Sequence, residues 1–166
     1  FPLDATYTLH RGDLATVTTQ LGGTSQFNQT GGKHKIETVL RIGGFPNWPT
    51  PLATGDLTRP EIWPVPVAFR SRYNMSSGEL FVGRMEIGVP SHPWIALPAG
   101  STNKRSFAPP RRTGTFRQTG GRVEISSTLN INGGGNYNLV RGRLNARMIN
   151  VNGGFDFFSN EAVLHQ

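Results

Sequence analysis

The chain has 166 residues, which fits a single domain, and it contains no cysteine. The missing thiols exclude a disulfide scaffold, a zinc–thiolate site and a cysteine nucleophile. Charged residues make up only 16% of the chain, whereas there are 21 Gly and 12 Pro, and this balance favours strands joined by many turns over long surface helices. The formal net charge of +7 lies almost wholly in residues 101–166, where nine Lys/Arg face three Asp/Glu.

Alternation of apolar and polar residues predicts about eight to ten strands along the chain. Successive runs predict three buried strand faces, formed by Ala15, Val17, Thr19 and Leu21; by Ile36, Thr38, Leu40 and Ile42; and by Phe81, Met85, Ile87 and Val89. The tripeptide Arg11-Gly12-Asp13 lies between the first two predicted strands, so we expect it on a turn. No repeat of fixed period is evident, which argues against a propeller or a solenoid.

The clearest alternation lies in the C-terminal third, on both sides of the Gly-rich segment 132–135. Before it, the apolar face is Val123, Ile125, Leu129 and Ile131; after it, the apolar face is Val140, Leu144, Ala146 and Met148. The two runs predict an antiparallel hairpin. Because opposite charges stabilise directly facing positions and like charges do not, the register with Glu124 opposite Arg143 is favoured over that with Arg122 opposite Arg147.

Two long stretches lack alternation and hold most of the prolines, residues 43–66 and 90–110. Proline cannot donate to a strand ladder, so these stretches are predicted to be long ordered loops or edge segments. Loops of this length tend to be functional or to form interfaces. Their tryptophans, Trp48, Trp63 and Trp94, are therefore candidate interface or ligand residues.

Nine basic residues are candidates for contact with RNA or another polyanion: Lys104, Arg105, Arg111, Arg112, Arg117, Arg122, Arg141, Arg143 and Arg147. The alternative is an ordinary polar surface whose arginines are neutralised by neighbouring side chains. No aromatic residues interleave with Arg141, Arg143 and Arg147, and any RNA contact is expected to be nonspecific and salt-dependent.

No catalytic or metal-binding constellation is evident. The four histidines have no metal-ligand spacing, and no nucleophile elbow, phosphate loop or dinucleotide fingerprint is present. The sequence therefore predicts neither an enzyme nor a bound cofactor. No apolar run approaches the roughly 20 residues that span a bilayer, so membrane insertion is not predicted.

The strand number, low charge, abundant Thr, Asn, Gly and Pro, absence of cysteine and two Pro-rich loops together resemble the single jelly-roll coat proteins of small icosahedral picorna-like viruses. The resemblance implies an all-β fold, an antiparallel β-sandwich with an eight-stranded jelly roll over residues 1–166. It also implies a capsid subunit of the virion that assembles through its loops with copies of itself or with sister coat subunits. The ends at Phe1 and Gln166 would suit release from a polyprotein.

The alternative is an extracellular or cell-surface binding module, either a carbohydrate-binding lectin or a fimbrial adhesin domain. Exposed tryptophan and asparagine residues in the loops could stack on sugars, which favours this hypothesis. Many fimbrial domains carry a cysteine pair, and the chain has none.

Overall fold

A computed structural model describes residues 5–43, 69–88, 112–152 and 163–165. Within these ranges the chain forms eleven strands: β1 (Thr6–Leu9), β2 (Asp13–Leu21), β3 (Gln26–Gln29), β4 (Lys33–Ile42), β5 (Phe69–Met75), β6 (Glu79–Ile87), β7 (Arg112–Gln118), β8 (Arg122–Ile131), β9 (Gly135–Leu139), β10 (Arg143–Val151) and β11 (Val163–His165). The predicted all-β class is therefore correct.

The strands lie in two sheets, and every pairing is parallel. The odd-numbered strands form one sheet in the order β1-β3-β5-β7-β9-β11, and the even-numbered strands form the other in the order β10-β8-β6-β4-β2. The chain thus alternates between the sheets and advances by one strand position each time it returns. Each odd strand and the even strand after it form one coil of a two-sheet parallel β-solenoid, with coil 1 (β1 and β2) at one end and coil 5 (β9 and β10) near the other.

This topology overturns the antiparallel β-sandwich and its jelly roll, and it also overturns the predicted hairpin. Strands β8 and β10 are parallel neighbours, with Arg143 beside Arg122 and Asn145 beside Glu124. The Gly-rich segment after β8 leads into β9 of the opposite sheet instead of folding back. A period of two residues tells which face of a strand is buried, but it carries no information about strand direction.

The solenoid has a repeat that two insertions conceal. Stacked residues lie 20 or 21 positions apart where the connection is short, as for Thr18 and Thr38 or Glu124 and Asn145. Across the first Pro-rich stretch the same stacking joins Asn28 to Asn74, which are 46 positions apart. The expectation that no repeat exists was therefore wrong, because a search for a fixed period fails when two of the connections are lengthened.

The even strands bend near their middle, and this explains why several predicted faces were wrong. Register shifts interrupt the pairing there: the inward positions change from even to odd residue numbers in β2, β6 and β10, whereas in β4 and β8 they keep their parity but skip one alternate position. In β2, Val17 is 62% exposed and Ala15 is also exposed, whereas Leu21 is buried. In β4, Thr38 points outward. In β6, Leu80 and Val82 are buried and point inward, and Phe81 between them does not. The face of β8 was predicted correctly, since all its members are buried: Val123, Ile125, Leu129 and Ile131.

The core is built from columns of stacked side chains. One column is aromatic and contains, in coil order, Tyr7, Phe27, Tyr73, Phe116 and Tyr137, with successive ring centroids 4.7–5.0 Å apart and the planes nearly parallel. This distance equals the usual separation of neighbouring strands, so each ring lies directly on the next. The rings of coils 2 to 5 are buried.

Two kinds of coil alternate along the solenoid. Coils 2 and 4 carry the pattern Phe-x-Gln-Thr-Gly-Gly at 27–32 and 116–121, whereas coils 1, 3 and 5 have tyrosine in the aromatic column. We call them Phe coils and Tyr coils. The bends also alternate with coil type. The inward residues on either side of the bend are four positions apart in β4 and β8, but three positions apart in β2, β6 and β10.

Each buried tyrosine hydroxyl is satisfied by a glutamine of the preceding Phe coil. The Tyr73 hydroxyl donates to Gln29 Oε1 at 2.7 Å. The Gln29 side-chain amide in turn donates to the carbonyl oxygens of Glu79 at 2.9 Å and Gly32 at 3.3 Å. One glutamine thereby links a buried hydroxyl to two main-chain carbonyls.

The same arrangement recurs two coils later. The Tyr137 hydroxyl donates to Gln118 Oε1 at 2.7 Å, and the Gln118 amide donates to two main-chain carbonyls at 3.2 Å. In a coil that is followed by a Phe coil, the residue in register with the glutamine is apolar. Met75 takes this position in coil 3, before Phe116 of coil 4, and Leu9 takes it in coil 1, before Phe27 of coil 2. Glutamine and tyrosine therefore occur together in successive coils, as buried hydrogen bonding requires.

His34 is a further buried polar group, and it lies on the Phe27 ring with centroids 5.0 Å apart. Its Nδ1 is 3.1 Å from the Tyr73 hydroxyl oxygen. Because that hydroxyl donates its proton to Gln29, the network assigns the imidazole proton to Nδ1. Burial lowers the pKa of His34 from 6.5 to about 4, so the ring is neutral at pH 7.

We expect His34 to make the solenoid sensitive to acid. The unfolded chain binds a proton at this site below pH 6.5 and the folded chain only below about 4, so stability should fall as the pH drops through that window. The shift corresponds to a loss of at most about 3 kcal/mol. Urea unfolding at pH 7, 5.5 and 4 would measure it. The control is His34→Leu, since the stacked positions in coils 1 and 3 are Leu14 and Leu80; an undiminished pH slope in this variant would refute the assignment.

Candidate functional site

The solenoid has two edges of different character. At one, which we call the tight edge, the connections from odd to even strands are all short, and each contains a glycine with positive φ: Gly12, Gly32, Gly78, Gly121 and Gly142. Arg11-Gly12-Asp13 lies here, on the exposed turn that the sequence predicted. At the other, which we call the loop edge, the chain returns from even to odd strands.

Long segments leave the solenoid at the loop edge only. The connections after β2 and β8 are short, whereas those after β4 and β6 span 43–68 and 88–111. The first residue of each long connection is fixed by the coil before it, because Gly43 N–H donates to Leu21 at 3.0 Å and Gly88 N–H donates to Ile42 at 2.8 Å. Coils 2 and 3 are neighbours, so the two long segments begin side by side.

Close backbone packing holds the loop edge together. A Cβ atom on Gly114 would overlap the Ile42 carbonyl, and one on Gly135 would overlap the Ile87 carbonyl. A Cβ atom on Gly88 would lie 2.6 Å from the Gly135 nitrogen. Only glycine fits at these positions, where main-chain atoms of coil 2 meet those of coil 4 and main-chain atoms of coil 3 meet those of coil 5, close to the points at which the long segments are attached. Their points of attachment are thus held at a fixed spacing by the scaffold.

Six of the predicted functional residues fall in the two long connections and lie outside the described residues: Trp48, Trp63, Trp94, Lys104, Arg105 and Arg111. The described ends of both connections place their attachment at the loop edge. Arg112 is the first residue of β7 at that edge.

The other predicted basic residues are divided between different surfaces. Arg117 lies on the outer face of the odd sheet, in register with Asn74 and Asn138. Arg122 and Arg143 are register neighbours on the outer face of the even sheet. The remaining two are also exposed, Arg141 on the tight edge and Arg147 at the bend of β10. The structure therefore does not bring the described members of the set together into one basic surface.

Carboxylates neutralise three arginines on the even sheet of the middle coils, Arg41, Arg84 and Arg122. Arg122 Nε donates to Glu124 at 2.6 Å, and the other oxygen of Glu124 accepts from Asn145 at 2.9 Å. The hydrogen bond from Arg122, assisted by that from Asn145, lowers the pKa of Glu124. Arg41 contacts Glu86 at 2.8 Å in the same way. These pairs are partly exposed, so they define the surface charge more than they stabilise the fold.

Coil 5 differs, because it holds three arginines and no carboxylate. Residues 135–152 contain Arg141, Arg143 and Arg147 but no Asp or Glu. None of the three forms an ion pair with another residue of the described ranges, and all are exposed. We call this coil the basic end coil. The basic end coil therefore has a formal charge of +3, the largest of the five described coils.

A shallow groove of about 390 Å³ runs over the outer face of the even sheet at the bends. Phe81 and Gly83 lie in it, and Lys35, Glu37 and Glu124 line its sides. A Cβ atom on Gly83 would come within 2.5 Å of the Thr38 carbonyl oxygen, so glycine keeps the groove open at this point. The Lys33 ammonium lies 4.8 Å from the centroid of the Phe81 ring. An aromatic ring among charged groups is chemistry that suits a polar ligand such as a sugar.

The described ranges contain no cluster of three or more His, Asp or Glu side chains able to hold a metal ion. They also contain no helix long and apolar enough to cross a membrane. Comparison of the chain with protein-family models, with curated proteins and with solved structures found no match.

Proposed function

We propose that the protein is a structural, non-catalytic subunit that assembles through its loop edge with copies of itself or with sister subunits. The observation that carries this proposal is the departure of two long Pro- and Trp-rich segments from neighbouring coils of one edge. In solenoids, insertions into the repeats map to loops on one face, and that face is often the one that binds. A rigid scaffold that presents loops is also the usual way in which irregular segments acquire function.

The scaffold suits a structural role. The coils are held by continuous parallel ladders, stacked rings and buried hydrogen bonds, and these contacts join neighbours in every part of the described solenoid. Such a quasi-one-dimensional stack tolerates insertions between strands, since each coil needs only its two neighbours. The proposal keeps the virion as the setting, which the resemblance to viral coat proteins implies, but without a jelly roll. Contact of the basic end coil with RNA would be nonspecific.

Shortening the long connections is expected to abolish assembly and leave the fold intact. In one variant Gly43 is kept and residues 44–68 are replaced by Gly-Gly, which gives a connection of three residues like the one after β8 at 132–134; in a second, Gly88 is kept and residues 89–111 are replaced in the same way. The control places Gly-Gly-Gly at 22–25, the short connection after β2. Circular dichroism would verify the fold, and light scattering with electron microscopy would measure assembly. Assembly by both shortened variants, or a wild-type chain that is monomeric throughout, would contradict the proposal.

The outer groove favours a second candidate, a carbohydrate-binding adhesin or lectin. Its aromatic ring and flanking charges could contact a sugar, with Phe81 as the apolar surface and Lys35 and Glu124 as polar partners. A glycan array on the wild-type chain and on Phe81→Ala tests this. A monomer that binds a glycan, and loses that binding in the variant, would replace the assembly proposal.

A further inference from the structure

The charged side chains are distributed unequally between the two sheets. All the Asp and Glu residues of the described ranges lie in even strands: Asp13, Glu37, Glu79, Glu86 and Glu124. The odd strands contain no carboxylate, but they contain Arg70, Arg72, Arg112 and Arg117. Arg70, Arg72 and Arg117 are exposed, and none forms an ion pair with another residue of the described ranges. The outer face of the odd sheet, which we call the odd face, therefore carries only positive charge in these ranges.

Two rows of polar side chains cross the odd face from coil 1 to coil 5. The first row contains, in coil order, Thr6, Gln26, Arg72, Thr115 and Asn136. The second row contains Thr8, Asn28, Asn74, Arg117 and Asn138. Neighbouring members lie about 4.8 Å apart, the separation of paired strands, so each row is about 19 Å long. Amides, hydroxyls and guanidinium groups make up both rows, without an apolar or acidic side chain.

A shallow depression of about 160 Å³ lies on the odd face next to the tight edge, across coils 2 to 4. Three members of the second row and three hydroxyl residues that follow the strands line it: Asn28, Asn74, Arg117, Thr30, Ser76 and Thr119. The Ser76 and Thr119 hydroxyls donate to main-chain carbonyls at 3.5 and 3.3 Å, so each oxygen keeps lone pairs with which it can accept from a ligand. The depression therefore offers hydroxyl acceptors beside the N–H donors of one guanidinium group.

We infer that the odd face binds a linear acidic glycan, with an anionic group of the sugar chain held by Arg117 in the depression. A guanidinium group binds a carboxylate or a sulfate through parallel N–H donors. Sugar hydroxyls both donate and accept, and so do the amide and hydroxyl side chains of the two rows. Arg72 lies one strand before Arg117 and two positions away along the strand, so it is placed for a second anionic group.

The composition of the rows favours a glycan over a nucleic acid. Proteins that bind single strands combine a basic groove with aromatic rings on which the bases stack, but the described rings of the odd strands all belong to the inward aromatic column. A nucleic acid also carries a charge on every nucleotide, whereas most members of the two rows are neutral. A polymer with many hydroxyls and few charges matches these rows better.

Isothermal titration calorimetry on the full chain would test the inference with three sugar probes. Two are acidic, a galacturonate hexamer and a sulfated hexasaccharide from heparin, and the third is a neutral galactose hexamer. We expect saturable binding of at least one acidic probe, at least about tenfold tighter than binding of the neutral one. The two acidic arms show whether the carboxylate or the sulfate is the preferred anionic group.

The disabling variant combines Arg72→Gln with Arg117→Asn. Each replacement is the residue of the same row in the preceding coil, Gln26 or Asn74, so the fold should be retained, as circular dichroism would verify. Binding of the acidic probe should weaken by about tenfold or more. The matched control combines Arg141→Gln with Arg143→Gln. It removes the same charge from the basic end coil and should bind the probe as the wild type does.

Three further outcomes would overturn the inference besides the absence of saturable binding. An equal loss in the two double variants would mean attraction by net charge alone. Polyuridylate that binds more tightly than both acidic glycans would mean an RNA surface. Loss of binding in Phe81→Ala would assign the glycan to the outer groove, which lies on the even sheet. The loop-edge proposal is independent of these results, because both long connections remain in place in every variant.

Discussion

Replacing Gln118 with methionine is expected to lower the free energy of unfolding by about 2–3 kcal/mol. The substitution removes the acceptor of the buried Tyr137 hydroxyl and the donor to two main-chain carbonyls of the tight edge. Methionine fits the space, since Met75 occupies the same column in coil 3. The loss should therefore come from unsatisfied polar groups and not from altered packing. Urea denaturation followed by circular dichroism would measure it.

A second substitution, Tyr137→Phe, should recover much of that loss. The double variant recreates in coils 4 and 5 the pair that Met75 and Phe116 form in coils 3 and 4, where no hydroxyl needs a partner. Tyr137→Phe alone should cost about 1 kcal/mol, because it leaves the Gln118 oxygen unpaired. The double-mutant cycle isolates the coupling. Two losses that simply add would show that the residues act independently and would refute the proposed pairing.

The pairing of glutamine with tyrosine also bears on how the coils find their order. A coil that skipped a neighbour would bring Tyr137 against Met75 and would bury a hydroxyl without an acceptor. Apolar columns alone do not penalise such a slip, since leucine, isoleucine and methionine pack interchangeably. The two buried networks therefore supply the register that the apolar columns leave open. This specificity is most useful around the long connections, where sequence proximity does not identify the next coil.

Strand content and much of the core could be predicted from the sequence, because alternation reports burial directly. Val123, Ile125, Leu129 and Ile131 were assigned correctly, and so was the turn at Arg11-Gly12-Asp13. The faces of β2 and β6 failed in their first halves, where the bends change the phase. Strand direction was not predictable from alternation. The repeated Phe-x-Gln-Thr-Gly-Gly pattern at 27–32 and 116–121 was the available signal for a solenoid.

The candidate site was predictable only in part, for a topological reason. Proline content identified the long connections, but their departure from one edge depends on the alternation of the chain between two sheets. The same alternation separates Arg117 from Arg122, although the two are only five positions apart in sequence, because the tight edge carries the chain from the odd sheet to the even sheet. Proximity in sequence thus misled the grouping of the basic residues.

Gly120→Ala is expected to cost more than about 3 kcal/mol or to prevent folding, which makes it the most damaging small substitution at the tight edge. A Cβ atom at this position would overlap the Ser76 carbonyl oxygen of the preceding coil, and main-chain atoms of a ladder cannot move aside cheaply. Gly31, its counterpart in the other Phe coil, meets the His10 carbonyl in the same way. Thermal unfolding followed by circular dichroism would measure the effect.

The matched control is Ser77→Ala, at the equivalent position of the neighbouring Tyr coil. Tyr coils carry Arg11, Ser77 and Arg141 here, all exposed, so a Cβ atom is already accommodated and the change should stay within about 0.5 kcal/mol. The contrast follows from the alternation of coils, since the Phe coil turn packs against a carbonyl of the coil before it. Equal tolerance of alanine at both positions would mean that the two coil types have the same turn packing. The difference between the two coil types would then be confined to the core.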